Sequence, residues 1–364
     1  MPSGSALQES FLLSSCTIGE LLAMDRKTQK PRWIRDLARF IPLKSQFVLS
    51  GNVRDHYPLE IADNVFTPQS LLPFLSAQLR QEGIEHVIAY DPIHGFREIE
   101  NITGNMCEKS ELLEKMQLCR STSADHATGI ESFSLGLERI VTSSGAPIAL
   151  LADFASRIIN RPDALLSPEQ RCFTKALVLS HEIKPRPCGS PPKPFYNSVI
   201  WIVDKEGDLP DWFLISNPRI RHIPVPKPDH VIRKQMAANL MRNLDGFKLA
   251  SPELLDDCLK QFVENTEGML LVDLIAICQL CKTEGLSITS IADAVRHYKL
   301  GVTEDPWTKI DREKIADGHS LIQKRVKGQS HAVVHMLDII KRAVTGVGAS
   351  RRGGRPRGVA FLAG

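Results

Sequence analysis

Four short runs set the limits on what this chain can fold into. Residues 46–52 (QFVLSGN), 86–92 (HVIAYDP), 147–155 (PIALLADFA) and 198–204 (SVIWIVD) are apolar along their length, not at alternate positions. A strand that is apolar on both sides must be covered on both faces. Helical patterns separate the runs. Residues 68–83 (PQSLLPFLSAQLRQEG) form one, with Pro73 in its early turns and Gly83 closing it. Residues 105–145 read as mostly helical, and residues 220–226 (IRHIPVP) as a further short strand. Strands alternating with helices give an α/β fold, a parallel sheet with helices on both faces. Residues 32–40 (RWIRDLARF) form an amphipathic helix ahead of it, at the end of a mixed helical lead-in. The proline-rich stretch 186–194 (RPCGSPPKP) reads as an irregular, linker-like loop.

After Pro228 the pattern changes to four successive helices: residues 229–244, 251–268, 269–285 and 287–301. Asp229, Ser251 and Ser287 are their N-caps, and Gly268 and Gly285 their stops. The expected organisation is a lead-in over 1–40, an α/β core over 41–228, an all-α lid over 229–301, and a final segment over 302–364. That segment opens on a polar linker (302–320). A helix follows (330–346) with Val333, Met336, Leu337, Ile340 and Val344 on one face. GVAFLAG (358–364) reads as a strand that runs into glycine.

Composition narrows the class. Of 364 residues, 43% are apolar and 24% charged, which excludes global disorder. No run reaches the ~18 apolar residues of a membrane helix. The start, MPSGSALQESFLLSSC, has an acid and no base before its short apolar stretch, so it is not read as a signal peptide. The eight cysteines have no repeated pair spacing and read as reduced thiols of a cytoplasmic protein. Residues 301–364 hold 12 Lys/Arg and 6 Asp/Glu, a balance of +6, against 33 and 36 in the rest. The run RRGGRPR (351–357) is either a solvated loop or a stretch that holds nucleic-acid phosphates.

Catalytic and metal motifs are sparse. Cys278 and Cys281 have C-x-x-C spacing inside an apolar helix without a second pair, which favours packing over a metal. His331 and His335 lie four apart with only Asp338 nearby. There is no H-E-x-x-H and no G-x-S-x-G, and no metal site is assigned.

The order of elements resembles the AAA+ ATPase (P-loop NTPase-like) module, an α/β domain followed by a helical lid. Two stretches carry the likeness: residues 198–229 (SVIWIVDKEGDLPDWFLISNPRIRHIPVPKPD) and residues 262–281 (FVENTEGMLLVDLIAICQLC). A third, residues 322–347 (IQKRVKGQSHAVVHMLDIIKRAVTGV), resembles the opening of the second ATPase module of Clp-type unfoldases. In that likeness GVAFLAG is the strand before a P-loop and Gly364 its first glycine. The chain then reads as the N-terminal part of a longer two-module protein.

The resemblance implies a nucleotide site, and the residues at the matched positions depart from it. Such a site needs a glycine-rich loop with a lysine around the phosphates, a strand-end Asp for Mg²⁺, and an adjacent acid. The first module offers Gly51 and Asn52 in GNVRDHYP, with Arg54 and His56 but no Lys-Ser/Thr pair. Side chains at Val53 and Tyr57 would crowd a phosphate-binding backbone there. Its strand-end acid is Asp153, followed by Phe154 where an acid would stand. This module is expected to bind nucleotide weakly or not at all. ATP and Mg²⁺ are expected for the full-length protein, none for this segment. Arg219 and Arg221 match arginines that reach a neighbouring subunit, or they are surface ion-pair residues. Arg325, Val326 and Gly328 match a turn lining an adenine pocket, or they simply lead into a helix.

The implied function is a Clp-like protein-remodelling ATPase with a regulatory, ring-forming first module. By resemblance its partners are copies of itself in a homo-oligomeric ring (a hexamer) and a protein substrate or adaptor, with neither nucleic acid nor membrane. The alternatives are a catalytically inactive AAA-like scaffold, or a nucleic-acid-associated protein using residues 351–357.

Overall fold

The computed structural model describes residues 30–62, 65–100, 105–119, 129–189, 192–215, 217–301, 312–345 and 360–361. The chain divides into two compact units at Lys227/Pro228.

The first unit begins with α1 (Arg32–Phe40), β1 (Gln46–Gly51), β2 (His56–Ala62), β3 (Val65–Ser70), α2 (Leu71–Gln81) and β4 (His86–Asp91). Then come β5 (Gly95–Ile99), β6 (Met106–Cys107), α3 (Glu111–Lys115), α4 (Ile130–Thr142), β7 (Ile148–Ala152) and α5 (Ser167–Glu182). It closes with β8 (Arg186–Cys188), β9 (Lys193–Phe195), β10 (Ser198–Val203), α6 (Asp211–Leu214) and β11 (Ile220–Val225). Seven of these strands form one sheet in the order β11-β1-β10-β7-β4-β5-β6. The first five are parallel, and β5 and β6 extend the sheet antiparallel.

The apolar runs explain the layering. Side chains on a strand alternate between faces. Phe47, Leu49, Ile200 and Ile202 therefore meet Trp33, Leu37, Phe74 and Leu75 of α1 and α2 on one face. Val48, Leu150, Trp201 and Val203 meet Phe133 and Leu137 of α4, Phe173 of α5 and Phe213 of α6 on the other. All of these side chains are buried, each worth about 1.5–3 kcal/mol relative to exposure. A buried polar side chain at the start of β1 is paired: Gln46 donates to the Ala176 carbonyl at 2.6 Å and accepts from Trp201 Nε1 at 3.0 Å. Pro73 is tolerated because α2 starts at Leu71, so the missing N–H falls in the first turn.

Two hairpins depart from the sequence reading. Residues 186–195 are not an irregular loop: β8 pairs antiparallel with β9, and Pro187 faces Pro194. The hairpin β2–β3 after β1 repeats the device, with Pro58 facing Pro68. Two facing prolines occupy a pair that exchanges no hydrogen bonds, so neither lost N–H breaks the ladder. Residues 105–145 are also less helical than expected, because β6 falls within them and α3 is short; residues 120–128 lie outside the described residues.

The second unit is helical: α7 (His230–Met241), α8 (Pro252–Asn265), α9 (Leu271–Thr283), α10 (Ile291–Leu300), α11 (Arg312–Ala316), α12 (Gly318–Gln323) and α13 (Ser330–Thr345). Asp229 and Ser251 cap α7 and α8, accepting from the backbone N–H three residues on. Ser287 precedes a short 3₁₀ turn, and α10 starts at Ile291. The expected polar linker 302–320 is helical from Arg312, while residues 302–311 lie outside the described residues. Val333 and Leu337 of α13 are buried, as its apolar face requires. Of GVAFLAG, only Ala360 and Phe361 are described, and they pair with no strand. Among the described residues no helix is long and apolar enough to cross a membrane.

Candidate functional site

The connection after β1 leads to α2 on one face, and that after β10 leads to α6 on the other. These neighbouring strands are therefore a topological switch point, where open α/β sheets bind ligands beyond the strand carboxyl ends. Three loops meet there, after β1 (Gly51 to Asp55), after β7 (Asp153 onward) and after β10 (Asp204 onward).

Arg54 occupies the centre. Its Nη1 lies 2.5 Å from Asp153 Oδ1 and its Nε 3.5 Å from Asp204 Oδ1. The guanidinium carbon sits 3.7 Å from the centroid of the Phe154 ring. Arg157 reaches Asp204 Oδ2 at 3.4 Å from the other side. The Asp153 side chain is only 11% exposed, so its charge requires a partner. Phe154 adopts a left-handed backbone (φ 50°), unusual for an aromatic residue, and its N–H donates to Asp153 Oδ1 at 2.8 Å. Ser156 Oγ accepts from Asp204 N and donates to Asp208 Oδ2, both at 2.8 Å, which ties the β7 and β10 loops together.

The loop after β1 is tied down internally. Gly51 N donates to the Asp204 carbonyl (3.3 Å), Asn52 N to the Val225 carbonyl (2.9 Å) and Val53 N to the Gly51 carbonyl (2.8 Å). The Asn52 side chain donates to Asp55 Oδ2 at 3.0 Å, and the Tyr57 hydroxyl donates to the Asn52 carbonyl. Gly51 has φ +99°, and a Cβ there would stand 2.8 Å from the Val225 carbonyl oxygen. Val53 and Tyr57 are buried in the core, and burial raises the Tyr57 phenol pKa, with Asp55 adding to the shift. The chain then continues as strand β2. The next helix, α2, begins only at Leu71, so no helix N-terminus directly follows this loop.

The structure thus brings Gly51, Asn52 and Asp153 to one place, and adds Arg54 and Asp204. Asp204 was visible as the acid ending SVIWIVD; its partnership with Arg54 was not, because it joins distant loops. Arg221 is exposed, with its guanidinium carbon 4.3 Å from the Phe40 ring centroid. Arg219 N donates to Asn217 Oδ1 at 2.9 Å. Neither arginine makes an ion pair among the described residues. In the second unit Arg325 and Val326 donate backbone N–H groups to the Ile322 carbonyl at the end of α12. Gly328 turns the chain toward α13, and all three residues are exposed. Gly364 and residues 351–357 lie outside the described residues. Cys278 and Cys281 are buried in α9, and burial pushes the Cys278 thiol up to about 12.

A family model described as AAA+ chaperone, N-terminal Rossmann-like domain, matches residues 25–226. That is more than half of the chain, and it nearly coincides with the first compact unit, Ala23–Lys227. No curated protein gives a significant match.

Proposed function

The chain belongs to the AAA+ chaperone family through its N-terminal Rossmann-like domain, and from that premise we propose that this domain is a ring-forming, regulatory module that works without nucleotide. In this reading the whole protein is a Clp-like remodelling ATPase, and ATP turnover belongs to a second module that starts near residue 320.

The observation that carries the reading is Arg54 held between Asp153 and Asp204. A magnesium nucleotide needs those carboxylates for its cation and needs free loop amides for its phosphates. Here a tethered guanidinium takes the carboxylates, and the N–H groups of Gly51, Asn52 and Val53 already donate to carbonyls. No lysine stands in the loop, and Phe154 replaces the acid that would orient water. These residues do not fit a magnesium nucleotide.

Arg219 and Arg221 are the candidates for contacts with the neighbouring copy. A module built this way assembles without nucleotide, and sedimentation of the chain with and without MgATP tests this. The expected result is the same oligomer in both. A monomer that assembles only when ATP is added would overturn the reading.

A further inference from the structure

Ser50, His222 and Glu206 form a run of polar contacts that the nucleotide-free module does not use. Ser50 Oγ lies 2.7 Å from His222 Nε2. His222 Nδ1 lies 3.2 Å from Glu206 Oε1. The residues come from three neighbouring segments: the end of β1, the edge strand β11, and the 3₁₀ turn Glu206–Asp208 after β10. They share the switch-point end of the sheet. Nε2 is hydrogen-bonded to a hydroxyl and Nδ1 has a carboxylate at ion-pair distance, the order of a nucleophile, its base and a group that can orient the base. A hydroxyl that only needed a partner in the sheet would not require a carboxylate behind the histidine.

We propose that Ser50 is a nucleophile for acyl transfer from small, neutral carboxylic esters. Ser50 Oγ bonds to the carbonyl carbon while its proton passes to His222 Nε2, and the carbonyl π pair moves onto oxygen. Collapse of that adduct breaks the bond to the leaving alcohol, which takes the proton from Nε2. Water then attacks the acyl-serine, His222 takes its proton and returns it to Ser50 Oγ, and the carboxylic acid departs. Glu206 acts through His222, as a positioning residue that holds Nδ1–H. The substrate class follows from the surroundings. Ser50 is 6% exposed, which admits only a short acyl group. Asp204, Glu206 and Asp208 follow one another in the segment after β10 that carries Glu206, and their charge disfavours an anionic ester.

This inference is independent of the chaperone reading, and covalent labelling tests it. The chain is treated with a fluorophosphonate and digested, and the peptides are weighed; turnover of p-nitrophenyl acetate is followed in parallel. The expected result is one phosphonyl adduct, on Ser50, absent from Ser50→Ala. His222→Gln should slow labelling by about 10²–10⁴-fold, the usual worth of a general base. Glu206→Gln, at a side chain 67% exposed, should slow it less and leave the fold intact. That variant and the wild-type adduct map decide the matter even if Ser50→Ala fails to fold. No adduct on Ser50, or labelling unchanged in both His222→Gln and Glu206→Gln, overturns the proposal.

Discussion

Arg54 Nη1 lies 2.5 Å from Asp153 Oδ1, across the carboxyl end of the sheet. The two residues are 99 positions apart in sequence, so the pair pins the loop after β1 to the end of β7. Arg54→Ala leaves a carboxylate that is 11% exposed without its cation. Losing a hydrogen bond between charged partners costs about 1.5–3 kcal/mol. For a unit of this size, at about 2–4 °C per kcal/mol, that lowers Tm by about 3–12 °C, measurable by calorimetry. Asp153→Asn should lose a similar amount, and the double variant less than the sum, since the two changes remove one interaction.

Gly51→Ala tests the loop itself. Its φ of +99° and the Val225 carbonyl oxygen 2.8 Å from the added Cβ both oppose a side chain. We expect a loss of about 1–3 kcal/mol in urea unfolding, the range for backbone strain of this kind. An unchanged midpoint would mean that the loop is looser than described.

Asp91, at the end of β4, gives a pH dependence. Burial alone would raise its pKa, but Ile93 N, His94 N and the His94 ring donate to it and Arg97 pairs with it, so the net shift is downward from 3.8. A carboxyl whose folded pKa is depressed contributes stability above its unfolded pKa and loses it as pH falls through the folded value. Unfolding free energy should therefore drop as pH falls below about 4. Asp91→Asn should flatten this drop and cost about 1–3 kcal/mol at neutral pH.

Arg219 and Arg221 are tested in the ATP-hydrolysing protein. Arg221→Ala removes its contact with Phe40, worth only about 0.5–1 kcal/mol at an exposed site, so a large change in turnover would not reflect unfolding. We expect each substitution to lower turnover by about tenfold, short of the 10³–10⁵ supplied by an arginine that touches the transferred phosphoryl group. Unchanged turnover in both variants removes their role between subunits.

The sheet was legible because residues such as Val48, Leu150 and Trp201 leave no polar side for solvent, a local property of the sequence. The first helices after Pro228 were legible because Asp229 and Ser251 announce their starts. The hairpins were not, because prolines 58, 68, 187 and 194 argue against strands until two of them face each other across a ladder. The site was half legible. Gly51 and Asp153 were singled out by the resemblance, and the missing lysine was plain. What the sequence could not show was where Arg54 points, because its partners arrive from two other strand ends. The Ser50–His222–Glu206 chain was hidden for the same reason, with the serine and histidine 172 residues apart.

The most direct test of the central claim is calorimetric titration of MgATP into the 364-residue chain and its Arg54→Ala variant. No saturable binding to the chain tighter than about 1 mM, equivalent to about −4 kcal/mol, is expected. Saturable binding near about 10 µM, weakened by Asp153→Asn, would contradict it, because the nucleotide would then displace an arginine that the account holds in place.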